Sequence, residues 1–322
     1  MVAPQIPRCE GSAVFFAAGF PFPRGADGGI IPLGNMREGC TVLQDVFLRY
    51  PGGLDRALTF SYDDGVQQDV RLVEIFNRHG LKATFNLNGG LFAPEGTVYP
   101  AGTVHRRMTE QEALAAYSCG EHEIGLHGLL HLYWEQLGPD RLLWEIAGDR
   151  QRLEQLFHTL VRGGAYPFGT WNQRAVDALA ACGAVYCRTV ESSHRLEIPD
   201  HWLSLSPTCH HADPAMPELC DRFLKEKVER KPLFFYIWGH SYEFEADDNW
   251  DLAERMAQQL GCREQVYYAT NIALFDYITA FRALRYSADG ALMENPTATT
   301  VWFSHLGEIR SIRPGERLNL TR

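Results

Sequence analysis

From Arg56 onward, short runs of β-forming residues alternate with stretches of helical periodicity, and that alternation is the strongest constraint the chain places on its own fold. Repeated strand–helix units imply parallel strands, because each helix carries the chain back to the start of the next strand. The first run, Ala57-Leu58-Thr59-Phe60-Ser61, precedes a stretch in which Val70, Val73, Ile75 and Phe76 fall near one helical face, ended by Gly80. Ala83–Leu87, a helix around Glu110–Tyr117 and the run Glu123–Leu126 repeat the pattern. A long helix then starts near Pro139, a first-turn proline, and carries Leu142, Leu143, Ile146, Leu153, Leu156 and Leu160.

Further strands are expected at Gly164–Phe168, Ala184–Thr189, Trp202–Ser206 and Leu233–Trp238, separated by helices at Gln173–Ala181, Ala215–Glu229 and Trp250–Leu260. This order predicts an α/β fold, a distorted (β/α) barrel of about seven parallel strands spanning residues 41–285, with chemistry at the C-terminal strand ends. After a helix over Ile272–Leu284, short alternating runs around Thr300–Phe303 and Ile309–Ile312 predict a small β appendage, residues 286–322. Residues 1–40 are Gly/Pro-rich and aperiodic, and are expected to form a loosely ordered N-terminal extension.

Forty acidic against 30 basic side chains give a net charge of −10, which repels phosphate backbones and anionic lipid surfaces, so neither nucleic acid nor a membrane is an expected partner. The eight cysteines form no Cys-x-x-Cys pair and are expected mostly as buried thiols. The apolar stretch Ala13–Phe20 lacks the basic flank and small-x-small cleavage pattern of a secretion signal, so a cytoplasmic location is expected. Composition leaves the oligomeric state open.

The polar residues at the strand ends carry the chemistry. The first strand runs into Tyr62-Asp63-Asp64-Gly65, the third into His127-Gly128-Leu129-Leu130-His131, and the late apolar strand into Gly239-His240. Each motif alone is weak: 12 histidines in 322 residues give about 0.44 His-x-x-x-His pairs by chance, so spacing decides little. Asp63-Asp64-Gly65 also suits a helix cap and turn. Taken together, two imidazoles at i and i+4, facing one way if the segment turns helically, make with one carboxylate an N,N,O donor set with open positions. One divalent cation is the expected cofactor, with zinc the natural ion and cobalt, nickel, iron or manganese as alternatives. Such an ion activates water and polarises a carbonyl, a second carboxylate can take a proton, and a further imidazole can protonate a leaving amine.

Thr59-Phe60-Ser61-Tyr62-Asp63-Asp64-Gly65, His127-Gly128-Leu129-Leu130-His131 and the late strand ending in His240 resemble, in order, three motifs of the polysaccharide deacetylases, carbohydrate esterase family four. The resemblance spans about Ala57 to His240. It implies Asp63 as the catalytic base, Asp64, His127 and His131 as metal ligands, His240 as the catalytic acid, and an acetylated saccharide as substrate. Two departures stand out. The family's Arg-x-Pro-Tyr motif appears as Ala165-Tyr166-Pro167-Phe168-Gly169, without the Arg that orients the base; a backbone N–H near Phe168 can still serve as oxyanion donor. Gly128 stands where Ser or Thr is usual and removes a local hydrogen bond that holds the loop.

Substrate contacts are expected from Tyr166, Phe168, His210, His211 and Trp238. His210 and His211 equally suit a solvated helix start capped by Asp213, and Trp238, an aromatic in an apolar strand, suits core packing better than stacking on a sugar. The expected activity is hydrolysis of the acetamide of an N-acetylated amino sugar or oligosaccharide. O-acetyl ester hydrolysis, hydrolysis of small non-sugar amides and non-catalytic saccharide binding are the alternatives.

Overall fold

The strand Arg56–Asp63 shows how the sequence pattern becomes a barrel wall. A computed structural model describes residues 45–321, so the expected extension over residues 1–40 lies outside the described residues. Through the first half the elements are β1 (Val46–Arg49), β2 (Arg56–Asp63), α1 (Asp69–Arg78), β3 (Ala83–Leu87), α2 (Glu110–Tyr117), β4 (Glu123–Leu126), α3 (Pro139–Phe157), β5 (Gly163–Ala165), α4 (Gln173–Ala181) and β6 (Tyr186–Arg188). They continue as β7 (Cys209–His210), α5 (Met216–Lys225), β8 (Leu233–Gly239), α6 (Ser241–Ala246), α7 (Trp250–Leu260), β9 (Val266–Tyr268) and α8 (Asn271–Arg282). Five short strands close the chain: β10 (Arg285–Tyr286), β11 (Leu292–Glu294), β12 (Val301–His305), β13 (Glu308–Ile312) and β14 (Arg317–Asn319).

In β2 the residues alternate between two environments, as the period of a strand requires. Phe60 and Tyr62 point outward and pack on Phe76 of α1, with ring centroids 4.6 and 5.8 Å apart. Thr59, Ser61 and Asp63 carry the opposite parity, and their hydrogen bonds run to Asn271 at the start of α8, to Asn86 of β3 and to Arg188 of β6. Every residue of β2 is buried, as in a strand covered on both faces.

The large sheet has the order β6-β5-β4-β3-β2-β8-β7, with β9 also paired to β2, and all of its ladders are parallel. It is the distorted α/β barrel expected, with eight strands rather than about seven. Two strands were not expected, β7 and β9, whose two and three residues are too short to read against their flanks. Trp202–Ser206, expected as a strand, is a 3-10 turn over Trp202–Ser204 followed by one parallel bridge between Leu205 and Arg188. The chain there crosses from β6 toward β7, so it gains a few hydrogen bonds but no ladder.

The C-terminal strands build two three-stranded sheets, β1-β12-β13 and β10-β11-β14. β1 pairs antiparallel with β12 in register Val46 to His305, so this appendage draws one strand from ahead of the barrel. Met293, Val301, Phe303, Ile312 and Leu320 form its own small core against Ala280 and Leu284 of the α8 end. Among the described residues no helix is long and apolar enough to cross a membrane.

Candidate functional site

Two adjacent carboxylates on a regular strand would point to opposite faces. Here β2 ends at Asp63, and Asp64 and Gly65 both take left-handed backbone angles, φ 85° and 65°. The reversal turns both carboxylates toward the same cleft. His127 Nε2 lies 3.8 Å from Asp63 Oδ2, and His131 Nε2 lies 3.8 Å from Asp64 Oδ1. A non-glycine residue at positive φ stores roughly 1–3 kcal/mol of strain and persists only where its surroundings hold it. Asp64 is held by three contacts: Arg107 Nη2 donates to Oδ1 (3.1 Å), Arg107 Nη1 donates to its carbonyl, and His105 Nε2 lies 3.2 Å from Oδ2.

Asp63 is almost fully enclosed and accepts from the Arg188 guanidinium at Oδ2 and from Asn86 Nδ2 at Oδ1 (2.8 Å). Burial pushes its carboxyl value up, but Arg188, His127, His240 and the Asn86 amide outweigh it, leaving the group below the ordinary carboxylate range. Asp63 is therefore held as an anion. Arg188 also bonds Ser61 Oγ and the Thr189 carbonyl, and its guanidinium lies 4.3 Å from the Trp238 ring centroid. An arginine thus meets Asp63 from the end of β6, one strand over from β5, where the expected one beside Tyr166 is absent.

The histidine motif is a loop and not the helical turn its spacing suggested. Gly128 at φ 81° and His131 at φ 54° bend the chain so that the two Nε2 atoms stand 3.2 Å apart. A side chain at Gly128 would be strained by that φ, and its Cβ would press on Trp134 Nε1 and Pro167 Cγ at 3.0 and 3.1 Å, which accounts for glycine there. His127 Nδ1 faces the Ala165 carbonyl at 2.9 Å, so Nδ1 carries the proton and the Nε2 lone pair faces the cleft. Burial lowers the values of both imidazoles, that of His131 to about 4, so both are neutral.

Asp64, His127 and His131 bring one donor atom each within 4.8 Å of one another. Tetrahedral ligands with zinc bonds of about 2.0–2.1 Å would stand roughly 3.3 Å apart, which the imidazole pair matches closely. Neutral nitrogens, an anionic oxygen and a fixed tautomer together fit a divalent cation.

His240 follows the last residue of β8, with Nε2 4.0 Å from Asp63 Oδ2. Glu243, one turn into α6, accepts from the His240 backbone N–H (3.1 Å) and from Nδ1 (3.1 Å). Burial would lower the His240 value, but Glu243, Asp63 and Asp64 outweigh it and hold the imidazolium above its ordinary range. Glu243→Gln should therefore lower the pH at which the His240 imidazolium gives up its proton, read by NMR titration of the ring; an unmoved titration would mean that Glu243 does not hold it.

His210 and His211 meet the same Glu243, with Nε2 atoms 3.0 and 3.4 Å from Oε2. The Ala212 N–H donates to His210 Nδ1 (3.2 Å), so Nε2 bears the proton and donates to Glu243. His210 thus hydrogen-bonds Glu243 behind His240, and His211 lies beside the same carboxylate. His211 is buried between Tyr62 and Phe244 and is driven neutral by burial, to about 3. Tyr166 is also buried, its hydroxyl donating to the Leu203 carbonyl (2.6 Å), and Trp238 is buried against Arg188 and His210. Phe168 alone of the aromatic candidates is exposed. It sits at φ 59°, 4.4 Å from the His131 ring, stacked on Tyr133 at 3.8 Å.

The family model for polysaccharide deacetylase matches residues 51–187. Over that segment the chain is similar to the polysaccharide deacetylases. No curated protein matches. Among solved structures, a candidate polysaccharide deacetylase from Mycobacterium smegmatis is 17% identical over 73% of this chain and 94% of its own, with a TM-score of 0.53, a likeness of fold. The Streptococcus pyogenes deacetylase PplD in complex with acetate is 19% identical with a TM-score of 0.38; the match covers 45% of this chain and spans 61% of that one. A family-four pseudoenzyme from Bacillus anthracis, BA3943, is 16% identical over 71% of this chain and 68% of its own, with a TM-score of 0.43.

Sequence reasoning missed Arg188, Glu243, Asn86, His105 and Arg107. An arginine inside the run Ala184–Thr189 and a glutamate three residues after His240 were both visible irregularities. His105 and Arg107 sit between β3 and α2 in a stretch without periodicity, and nothing local marked them.

Proposed function

We propose that this protein is a metal-dependent hydrolase that removes the acetyl group from N-acetylated amino sugars or oligosaccharides. The observation that carries this reading is Asp63, an enclosed carboxylate kept ionised by Arg188, with the His240 imidazole 4.0 Å away and the N,N,O donor set beside it. A saccharide binder would have no use for a paired base and acid. Asp64, His127 and His131 would hold the cation, which when bound lowers the pKa of water and polarises the acetyl carbonyl.

The chain's own residues supply the proton traffic. Asp63 takes a proton from the attacking water as the C–O bond forms, and its Arg188 contact keeps the accepting oxygen fixed. His240, protonated and anchored by Glu243, gives its proton to the amide nitrogen as the C–N bond breaks, releasing acetate and the free amine. The exposed Phe168 and Tyr133 rings beside His131 offer an apolar surface for the sugar.

The test is acetate release by the zinc-loaded protein from N-acetylated and O-acetylated mono- and oligosaccharides in parallel. Turnover on the amides supports the proposal. Turnover confined to esters or to non-sugar amides would replace the substrate class, and none at all, with metal bound, would leave a binding protein.

A further inference from the structure

The loop that carries His127 and His131 is neither helix nor strand, so its backbone groups must find partners elsewhere. Part of the answer lies in α3, behind the loop. Asp149 accepts from the His127 N–H through Oδ2 (2.9 Å) and from the Gly89 N–H through Oδ1 (2.6 Å). One turn earlier, Glu145 accepts from the Leu130 N–H through Oε2 (3.0 Å), and its carbonyl accepts from the Leu129 N–H (3.3 Å). Asn88 completes the frame from the other side, donating to the carbonyls of His127 (2.6 Å) and Gly128 (2.7 Å).

Both carboxylates are fully buried, four residues apart on the same face of α3 as Leu142, Ile146 and Leu153. Burying a carboxyl group on an apolar helix face is costly unless donors meet it, and a core helix has no need of two. The space is built for the contact: a Cβ at Gly148 would meet Leu129 Cδ2 at 3.2 Å, and one at Gly90 would meet the Leu129 carbonyl at 2.6 Å.

We propose that Glu145 and Asp149 are positioning residues for the cation site: they pin the backbone of the His127–His131 loop to α3 and so set the spacing of the two imidazoles. They take over the loop-holding task that the side chain absent at Gly128 would otherwise serve. The proposal rests on reading Asp64, His127 and His131 as cation ligands.

The test compares wild type with Asp149→Asn, with Glu145→Met, which keeps the volume but orphans the Leu130 N–H, and with Glu123→Gln. Glu123 is a matched control, a carboxylate that accepts from Thr84, Tyr186 and the Ile272 N–H at the opposite end of β4, away from the loop. Metal affinity is read by chelator competition, and site geometry by the visible absorption of the cobalt-loaded protein. Asp149→Asn and Glu145→Met should weaken metal binding by about 10- to 100-fold, as changes behind a ligand do, and alter the cobalt spectrum. Glu123→Gln should lower thermal stability and leave affinity and spectrum unchanged. Wild-type affinity and spectrum in the α3 variants, or an equal loss in Glu123→Gln, would overturn the positioning role; if Asp149→Asn does not fold, Glu145→Met decides. A wild-type protein that binds no cation would instead sink the ligand reading beneath it.

Discussion

Asp63→Asn should keep the cation ligands in place while turnover falls by about 10²- to 10⁴-fold, the range lost when a general base is removed. The amide keeps the shape of the carboxyl and can still accept from Asn86, but it cannot take a proton from water, and its NH₂ would face the Arg188 guanidinium. Steady-state acetate release checks the loss, measured at a temperature where the variant is folded. Turnover within a few-fold of wild type would remove Asp63 from proton transfer.

Arg188→Met should be the most destabilising change in the barrel interior, by about 3–5 kcal/mol, because removing one partner of a buried ion pair strands the other charge. Arg188 and Asp63 are both enclosed, and the guanidinium also bonds Ser61 and the Thr189 carbonyl. The effect has a definite pH dependence. In wild type the Asp63 value is depressed, so its contribution to stability is present above the unfolded value of about 3.9 and is lost as pH falls through the lower folded value. Without Arg188, burial is the largest remaining influence and acts to raise the folded value, so the variant's deficit should be greatest near neutral pH and shrink as acid protonates Asp63. Thermal melts of both metal-free proteins from neutral pH down to about 4 check this. A deficit independent of pH would mean that Arg188 acts through packing on Trp238 rather than through its charge.

How much of this was legible in the chain divides by range. The helices at Gln173–Ala181 and Trp250–Leu260 and the start at Pro139 follow from local periodicity and a first-turn proline, and the structure has them at those residues. The site residues at the ends of β2, β4 and β8 were legible because a polar motif directly follows an apolar strand. Partners that meet across the barrel were not. Arg188 and Asp63 are 125 residues apart, and only the order β2-β3-β4-β5-β6 carries one toward the other. The turn at Trp202–Ser204 looked like a strand because its apolar residues cover the core without pairing. Trp238, an aromatic in an apolar strand and so expected in the core more readily than against a sugar, packs against the arginine that sequence spacing could not place.

The central claim is that Asp64, His127 and His131 hold a catalytic cation while Asp63 does not. Zinc content after dialysis of wild type, Asp64→Asn and Asp63→Asn tests it most directly. One zinc per chain is expected in wild type and in Asp63→Asn, with a loss in Asp64→Asn exceeding the roughly 10- to 100-fold cost of changes behind a ligand. A metal-free Asp63→Asn beside a loaded Asp64→Asn would exchange the two roles, and a wild-type protein without affinity for any divalent ion would contradict the account.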